Sequence, residues 1–255
     1  MEFNREETLS KLKVFFTAKK LMILFLVVLL IINLFSYGLG LLISVLISVL
    51  TASILDLIII YIKDKKFLIP ESAIITGLFI SVVLDTSVAP YILVIASSVA
   101  ILSKYLIRIK GRQIFNPAVL GLVLVGLIFK ANYGWLLYNP SILVIILGLL
   151  LMYYMKNYYL IGMYFASYII LASIYLFFTK NLDITILLGM NFFFMFFILT
   201  EPKTSPYSKL SKIIYGSLAG ILSFVLAFFM PSFIEADLFS LLLVNISSYF
   251  LNEKF

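Results

Sequence analysis

Long apolar runs separated by short polar joints fill this chain from residue 21 onward. A bilayer core of ~30 Å needs about 20 apolar residues per helix. On that measure the pattern predicts about ten segments, at roughly 21–36, 39–62, 71–84, 88–108, 116–130, 141–155, 158–179, 185–199, 212–230 and 238–252. The third, fifth and eighth hold only about 15 residues, short of a full crossing, and polar or proline-containing joints flank them. Short segments at matching places in two halves predict discontinuous helices that meet near mid-membrane. The stretches GLFISVVLDTSVAPY (77–91) and GMNFFFMFFILTEPKTSPY (189–207) support such a pairing. Each runs from a glycine through an apolar run to an acid, hydroxyls and Pro-Tyr. A unit with an odd number of crossings must be inverted in its second copy. The predicted fold is therefore an all-α polytopic membrane protein, with about ten transmembrane helices as two inverted five-helix repeats with broken or short helices. Its divisions are an N-terminal cytoplasmic segment (1–20), a first repeat (21–130) and a second repeat (131–255).

Composition agrees. The chain is 64% hydrophobic and 12% charged, with mean hydropathy +1.17, more apolar surface than a soluble domain of this length can hide. Tyr153, Tyr154, Tyr158 and Tyr159 surround Lys156 as an interfacial aromatic belt would. The net charge of +7 reads as topology rather than as a nucleic-acid surface. With the N-terminus inside, all of the 19 Lys and Arg except Lys130 and Lys180 fall on the cytoplasmic side. This predicts a multi-pass protein of the cell (plasma) membrane, surrounded by lipid, with both termini cytoplasmic. The first 20 residues are too mixed in charge for a signal peptide, so the first apolar segment is expected to be retained. The chain has neither Cys nor His, which excludes thiolate chemistry, iron–sulfur ligation, histidine relays and the usual zinc sites.

Candidate chemistry lies in three stretches. In PESAIITGLFISVVLD (70–85), Ser72 and Thr76 share a helix face, Gly77 follows, and Asp85 closes the run. The hydroxyls either meet a ligand or bond back to their own helix. In KGRQIFNPAVLG (110–121), Asn116 and Pro117 mark a helix start. That start is either a plain cap or an interior helix end whose free N–H groups face a ligand. In LTEPKTSPYSK (199–209), Thr200, Glu201, Thr204 and Ser205 cluster around two prolines. They form either a cytoplasmic turn or a site for a small polar ligand, a flavin edge or a cation. Helix two carries Ser44, Ser48, Ala52 and Asp56 at four-residue spacing, a small-residue packing face with an acid inside the membrane. Asp56, Asp85 and Glu201 are the candidate ion-pathway residues; the Phe-rich run 192–197 reads as lipid-facing or as core packing.

The motifs SAxxTGL (72–78), IFNPAVLG (114–121) and TEPKTSP (200–206) together resemble the RnfD/NqrB family. That family is the membrane subunit shared by the Rnf electron-transport complex and the sodium-translocating NADH:quinone reductase. The resemblance spans roughly 70–220. It implies a five-plus-five, urea-transporter-like architecture, flavin bound in the membrane region and electron transfer coupled to ion movement. Two departures stand out. The stretch where relatives attach FMN to a Thr reads KANYGWLLYNP (130–140), without Ser or Thr, so no covalent FMN is expected. The family's Asp-Pro is Glu201-Pro202 here. Two functions remain in view. One is a membrane subunit of a flavin-dependent oxidoreductase or translocase, itself non-catalytic or flavin-carrying. It would bind flavin (FMN or riboflavin) non-covalently through Ser72, Thr76, Gly77, Asn116, Pro117, Thr200, Glu201, Thr204 and Ser205. Its basic face (Lys63, Lys65, Lys66, Lys104, Arg108, Lys110, Arg112) would either set topology or dock a cytoplasmic reductase or another electron-transport protein. The other is a non-redox transporter or channel for a small polar solute or cation. No metal site and no nucleic-acid partner are expected.

Overall fold

The computed structural model describes residues 17–137, 142–180, 186, 189–230 and 235–254, with side chains to residue 251. Most of the 1–20 segment, Asn139, Pro140 and Ser141, and the start of the segment predicted at 185 lie outside the described residues. The helices are α1 (Ala18–Asp64), α2 (Glu71–Val83), α3 (Pro90–Leu106), α4 (Pro117–Phe129), α5 (Ile142–Met155), α6 (Tyr158–Thr179), α7 (Lys209–Phe229) and α8 (Ala236–Lys254). Between α6 and α7 lies a π-helical turn, Phe194–Ile198. Two two-residue strands, β1 (Arg108–Ile109) and β2 (Arg112–Gln113), pair antiparallel between α3 and α4.

Among the described residues, α1, α6 and α7 are long and apolar enough to cross a membrane. The shorter apolar helices are α2, α3, α4, α5 and the first part of α8. α1 is two predicted segments joined at Gly38, whose φ of 59° and ψ of −146° break the helix. Glycine is almost alone in reaching that conformation. Thr17 caps the start, accepting from the Lys20 N–H, and left-handed Lys65 ends the run.

The second arm of α1 packs against α2 and α3. Its predicted small-residue face is buried: Ser44, Ser48, Ala52 and Asp56 are each at most 3% exposed. Gly77 of α2 lies against that arm so closely that a Cβ there would meet Val49 Cα at 2.6 Å and the Ser48 carbonyl at 2.8 Å. Small residues are what allow such backbone contact in a bilayer, where lipid gives no hydrophobic drive for helix association. α6 packs on α7, α7 on α8, and α8 reaches back to α4. Alternation of chain direction sets two ends. One collects the α3–α4 hairpin, the α5–α6 joint and residues 200–208; there Lys212 Nζ donates to the Lys156 carbonyl at 3.1 Å. The other collects the segments after α2 and α4, where the Leu136 N–H donates to the Val82 carbonyl at 2.8 Å.

Candidate functional site at the interior break

The Phe-rich run is core. Phe193, Phe194, Met195, Phe196, Phe197 and Ile198 are buried, so the lipid-facing alternative does not hold. Asn191 starts the turn by accepting the Phe194 N–H at 2.9 Å. The Leu199 N–H then reaches back five residues to the Phe194 carbonyl, which widens the coil into a π turn. Such turns recur at functional sites. The turn meets the first half of the chain inside the protein. Phe193 stands edge-on to Phe79 of α2, with ring centroids 6.2 Å apart. Asn116 caps α4 by accepting the Val119 N–H at 3.2 Å, and its amide nitrogen donates to the Ile198 carbonyl at 3.4 Å. Asn116 is fully buried and Pro117 follows at the first helical position. The predicted helix start therefore lies within protein, and its cap ties together two elements that are 82 residues apart.

After the turn the chain breaks at Thr200–Ser205, all within reach of the core except the Pro202–Lys203 corner. Thr200 donates to the Phe196 carbonyl at 2.6 Å. The Thr204 and Ser205 N–H groups donate to the Glu201 carbonyl at 3.3 and 3.1 Å. The Thr204 carbonyl accepts from Ser248 of α8 at 2.7 Å. Glu201 is 5% exposed, and its Oε2 has no hydrogen-bond partner. Lys203, Lys104 and Lys19 supply positive potential at this carboxylate, and the Thr204 side chain hydrogen-bonds to it. A buried carboxylate oxygen with an unmade hydrogen bond is expensive unless something supplies the bond. It fits an N–H donor on a ligand, a proton or a small cation.

The remaining predicted site residues separate from this point. The Thr76 hydroxyl donates to the Ser72 carbonyl at 2.9 Å, the back-bonded alternative, and Gly77 is a packing contact. Asp56 has a partner that sequence did not reveal. Its Oδ1 accepts from Lys104 Nζ at 2.7 Å and from the Tyr105 hydroxyl at 2.7 Å, all three side chains lying between α1 and α3. Lys104 is only 6% exposed, so it leaves the basic docking face that it was assigned to. Asp85 sits in a turn at the opposite end, accepting the Ser87 N–H at 2.8 Å and the Ser87 hydroxyl at 2.6 Å. Those bonds hold its carboxyl below the usual range. No group of three or more acidic, His or Cys side chains suited to a metal occurs among the described residues.

Two cavities flank the break. One of about 270 Å3 lies at the Lys203 end and is lined by Arg112, Gln113, Lys203 and Asn245 among others. The other, about 360 Å3, lies at the opposite end between Trp135, Asn191, Ser223, Glu235 and Asp237. There the Trp135 indole N–H donates to Glu235 Oε2 at 2.9 Å and the Tyr164 hydroxyl to Asp237 Oδ1 at 3.3 Å. Sequence reasoning singled out none of Gln113, Trp135, Asn191, Glu235, Asp237 and Asn245 for chemistry. Signals existed: Asn245 and Asp237 are polar groups within or at the start of an apolar helix, and Lys110-Gly111 is a hairpin turn pair.

Short helices, a buried π turn and an orphaned carboxylate at an interior break define a polytopic helical membrane protein with a polar site built where its two halves meet. Compared with known families, the chain matches the NQR2, RnfD, RnfE family over residues 15–140 and 132–255, and it belongs to that family. It is similar to the RnfD protein of the ion-translocating oxidoreductase complex of Buchnera aphidicola subsp. Baizongia pistaciae (strain Bp), 29% identical over 120 residues. It is also similar to the protein of the same name from Methanosarcina acetivorans, 37% identical over 70 residues. These alignments take in 45% and 28% of this chain and 33% and 23% of the two relatives' own lengths.

Proposed function

We propose that this chain is the membrane subunit of a flavin-dependent, ion-coupled electron-transport system. In this reading about ten crossings fold as two inverted five-helix repeats, both termini are cytoplasmic, and the protein works in the plasma membrane beside other electron-transport subunits. Family membership supports the reading, as do relatives named as subunits of an ion-translocating oxidoreductase complex. The observation that carries it is Glu201 Oε2, buried without a partner at the break.

Of the nine residues expected around a flavin, Glu201 keeps a buried side-chain oxygen with no bond made, and Thr204 and Ser205 flank it. That oxygen fits the N–H edge of an isoalloxazine ring. A bound flavin would supply one- and two-electron transfer, chemistry that a chain without Cys or His lacks. The protein's share would be orientation by Glu201 and Thr204, fixed spacing by the Asn116–Ile198 bond, and exclusion of water by the surrounding phenylalanines. Asp56 serves as an ion pair with Lys104 rather than as an open pathway ligand. The second reading, a non-redox transporter or channel for a small polar solute or cation, is favoured by the same oxygen lying in the field of three lysines.

The test is to purify the protein in mild detergent, record flavin absorbance, precipitate with acid and read flavin fluorescence in both fractions. Flavin in the supernatant supports non-covalent binding, and flavin in the pellet overturns the expectation of no covalent FMN. No flavin in either, even after reconstitution, transfers the assignment to the transport reading. Glu201→Gln is expected to insert normally but to lose flavin retention or coupled flux. A variant equal to the parent in both would reduce Glu201 to a turn residue.

A further inference from the structure

We infer that the cavity at the Lys203 end is a binding site for a phosphate ester. The inference rests on different residues from the flavin reading and stands without it. The α3–α4 hairpin turns through Lys110 (φ 48°) and Gly111 (φ 80°), the paired positive φ values of a tight hairpin turn. That turn places Arg112 and Gln113 on the cavity wall, opposite Asn245 and Ser248 of α8 and beside Lys203. The wall thus carries three cationic side chains, Lys110, Arg112 and Lys203, and no acidic one.

Positive charge at one end of a membrane protein is ordinary topology; the amides are not. Asn245 is 0% exposed, lines the cavity, and its Nδ2 has no hydrogen-bond partner. Its Oδ1 is fixed by the Tyr215 hydroxyl at 2.7 Å, which leaves the nitrogen as the unspent end. Gln113 Nε2 and Oε1 are likewise buried without a partner. Native proteins rarely leave buried amides unbonded, and each exception calls for a missing partner. Unspent N–H donors among three cations call for a group with several acceptor oxygens and more than one negative charge, which describes a phosphate monoester or an anionic phosphodiester. A volume of about 270 Å3 suits a phosphate with a short polar tail better than a nucleotide. The phosphate can come from a lipid headgroup or from a small soluble ester.

The experiment titrates delipidated protein in a maltoside detergent with inorganic phosphate, glycerol 3-phosphate and short-chain phosphatidylglycerol. Binding is read by calorimetry and by thermal midpoint, with chloride at matched ionic strength as control. The decisive variant is Asn245→Asp, which keeps an oxygen for the Tyr215 hydroxyl and replaces the unspent donor by an acceptor. Arg112→Gln, at an exposed position, guards against a folding defect in the first. Saturable binding that weakens about tenfold or more in both variants is expected. Response to the soluble esters assigns a soluble source; response to phosphatidylglycerol alone assigns a headgroup. No saturable binding of any of the three overturns the inference. So does binding that both variants retain at parental strength.

Discussion

A lysine ammonium and a carboxylate facing each other between two apolar helices are stable only together. Lys104 and Asp56 are 6% and 1% exposed, and the Tyr105 hydroxyl completes the arrangement on the same oxygen. Removing one partner strands the other in a poor solvent for charge, at about 3–5 kcal/mol. Asp56→Asn should therefore lower the thermal midpoint in detergent sharply. The double variant Asp56→Asn with Lys104→Met should recover most of the loss, because replacing a buried pair by apolar groups is close to neutral. A double variant no better than the single one would show that Asp56 has a partner other than Lys104. This pair also shows what a sequence conceals. Asp56 stands out as an acid in an apolar helix, but its partner is 48 residues away, and charge counting assigns Lys104 to the surface.

Elements were more legible than contacts. Apolar run lengths place the helix joints at Gly38, after Asp64 and before Pro117 because glycine, charge and proline end helices locally. The stripe from Ser44 to Asp56 was legible because four-residue spacing of small residues has few uses other than close packing. The π turn was not legible, since its widened coil is set by Asn191 and the tertiary surroundings of six apolar residues with no periodic signal. Nor was the spending of the Thr76 and Thr200 hydroxyls, each of which donates to a carbonyl four residues back, a choice between helix and ligand that composition cannot make. Two substitutions test the packing between elements. Gly77→Val pushes a branched side chain into the Ser48–Val49 backbone and should destabilise by about 1–3 kcal/mol, read as a lower thermal midpoint. Asn116→Ala removes the α4 cap and the bond to Ile198 together. It should lose about 0.5–2 kcal/mol for the cap, and protease should reach the 200–208 segment sooner. Unchanged proteolysis there would separate the cap from the joint between halves.

At the scale of the whole molecule, the first and second halves are joined at three levels. The interior joint is Asn116 to Ile198, the aromatic one is Phe79 to Phe193, and the joint at the end opposite Lys203 is Trp135 to Glu235. The last joint can be watched directly, because Trp135 is the single tryptophan in the chain and its indole N–H is bonded to the carboxylate. Burial pushes the Glu235 carboxyl above its ordinary value, with the Trp135 hydrogen bond opposing the rise. An acid whose folded value lies above its unfolded one favours the folded state while protonated. That contribution is full below the unfolded value, about 4.3 for Glu, and is lost as pH climbs through the folded value. Trp135 emission should therefore titrate with a midpoint above the ordinary Glu range, and the thermal midpoint should fall across the same window. Glu235→Gln should remove both changes while leaving the helix content intact. A titration at or below the ordinary Glu value would mean that water reaches this carboxylate, and the joint between the halves at that end would then be a solvated contact rather than a packed one.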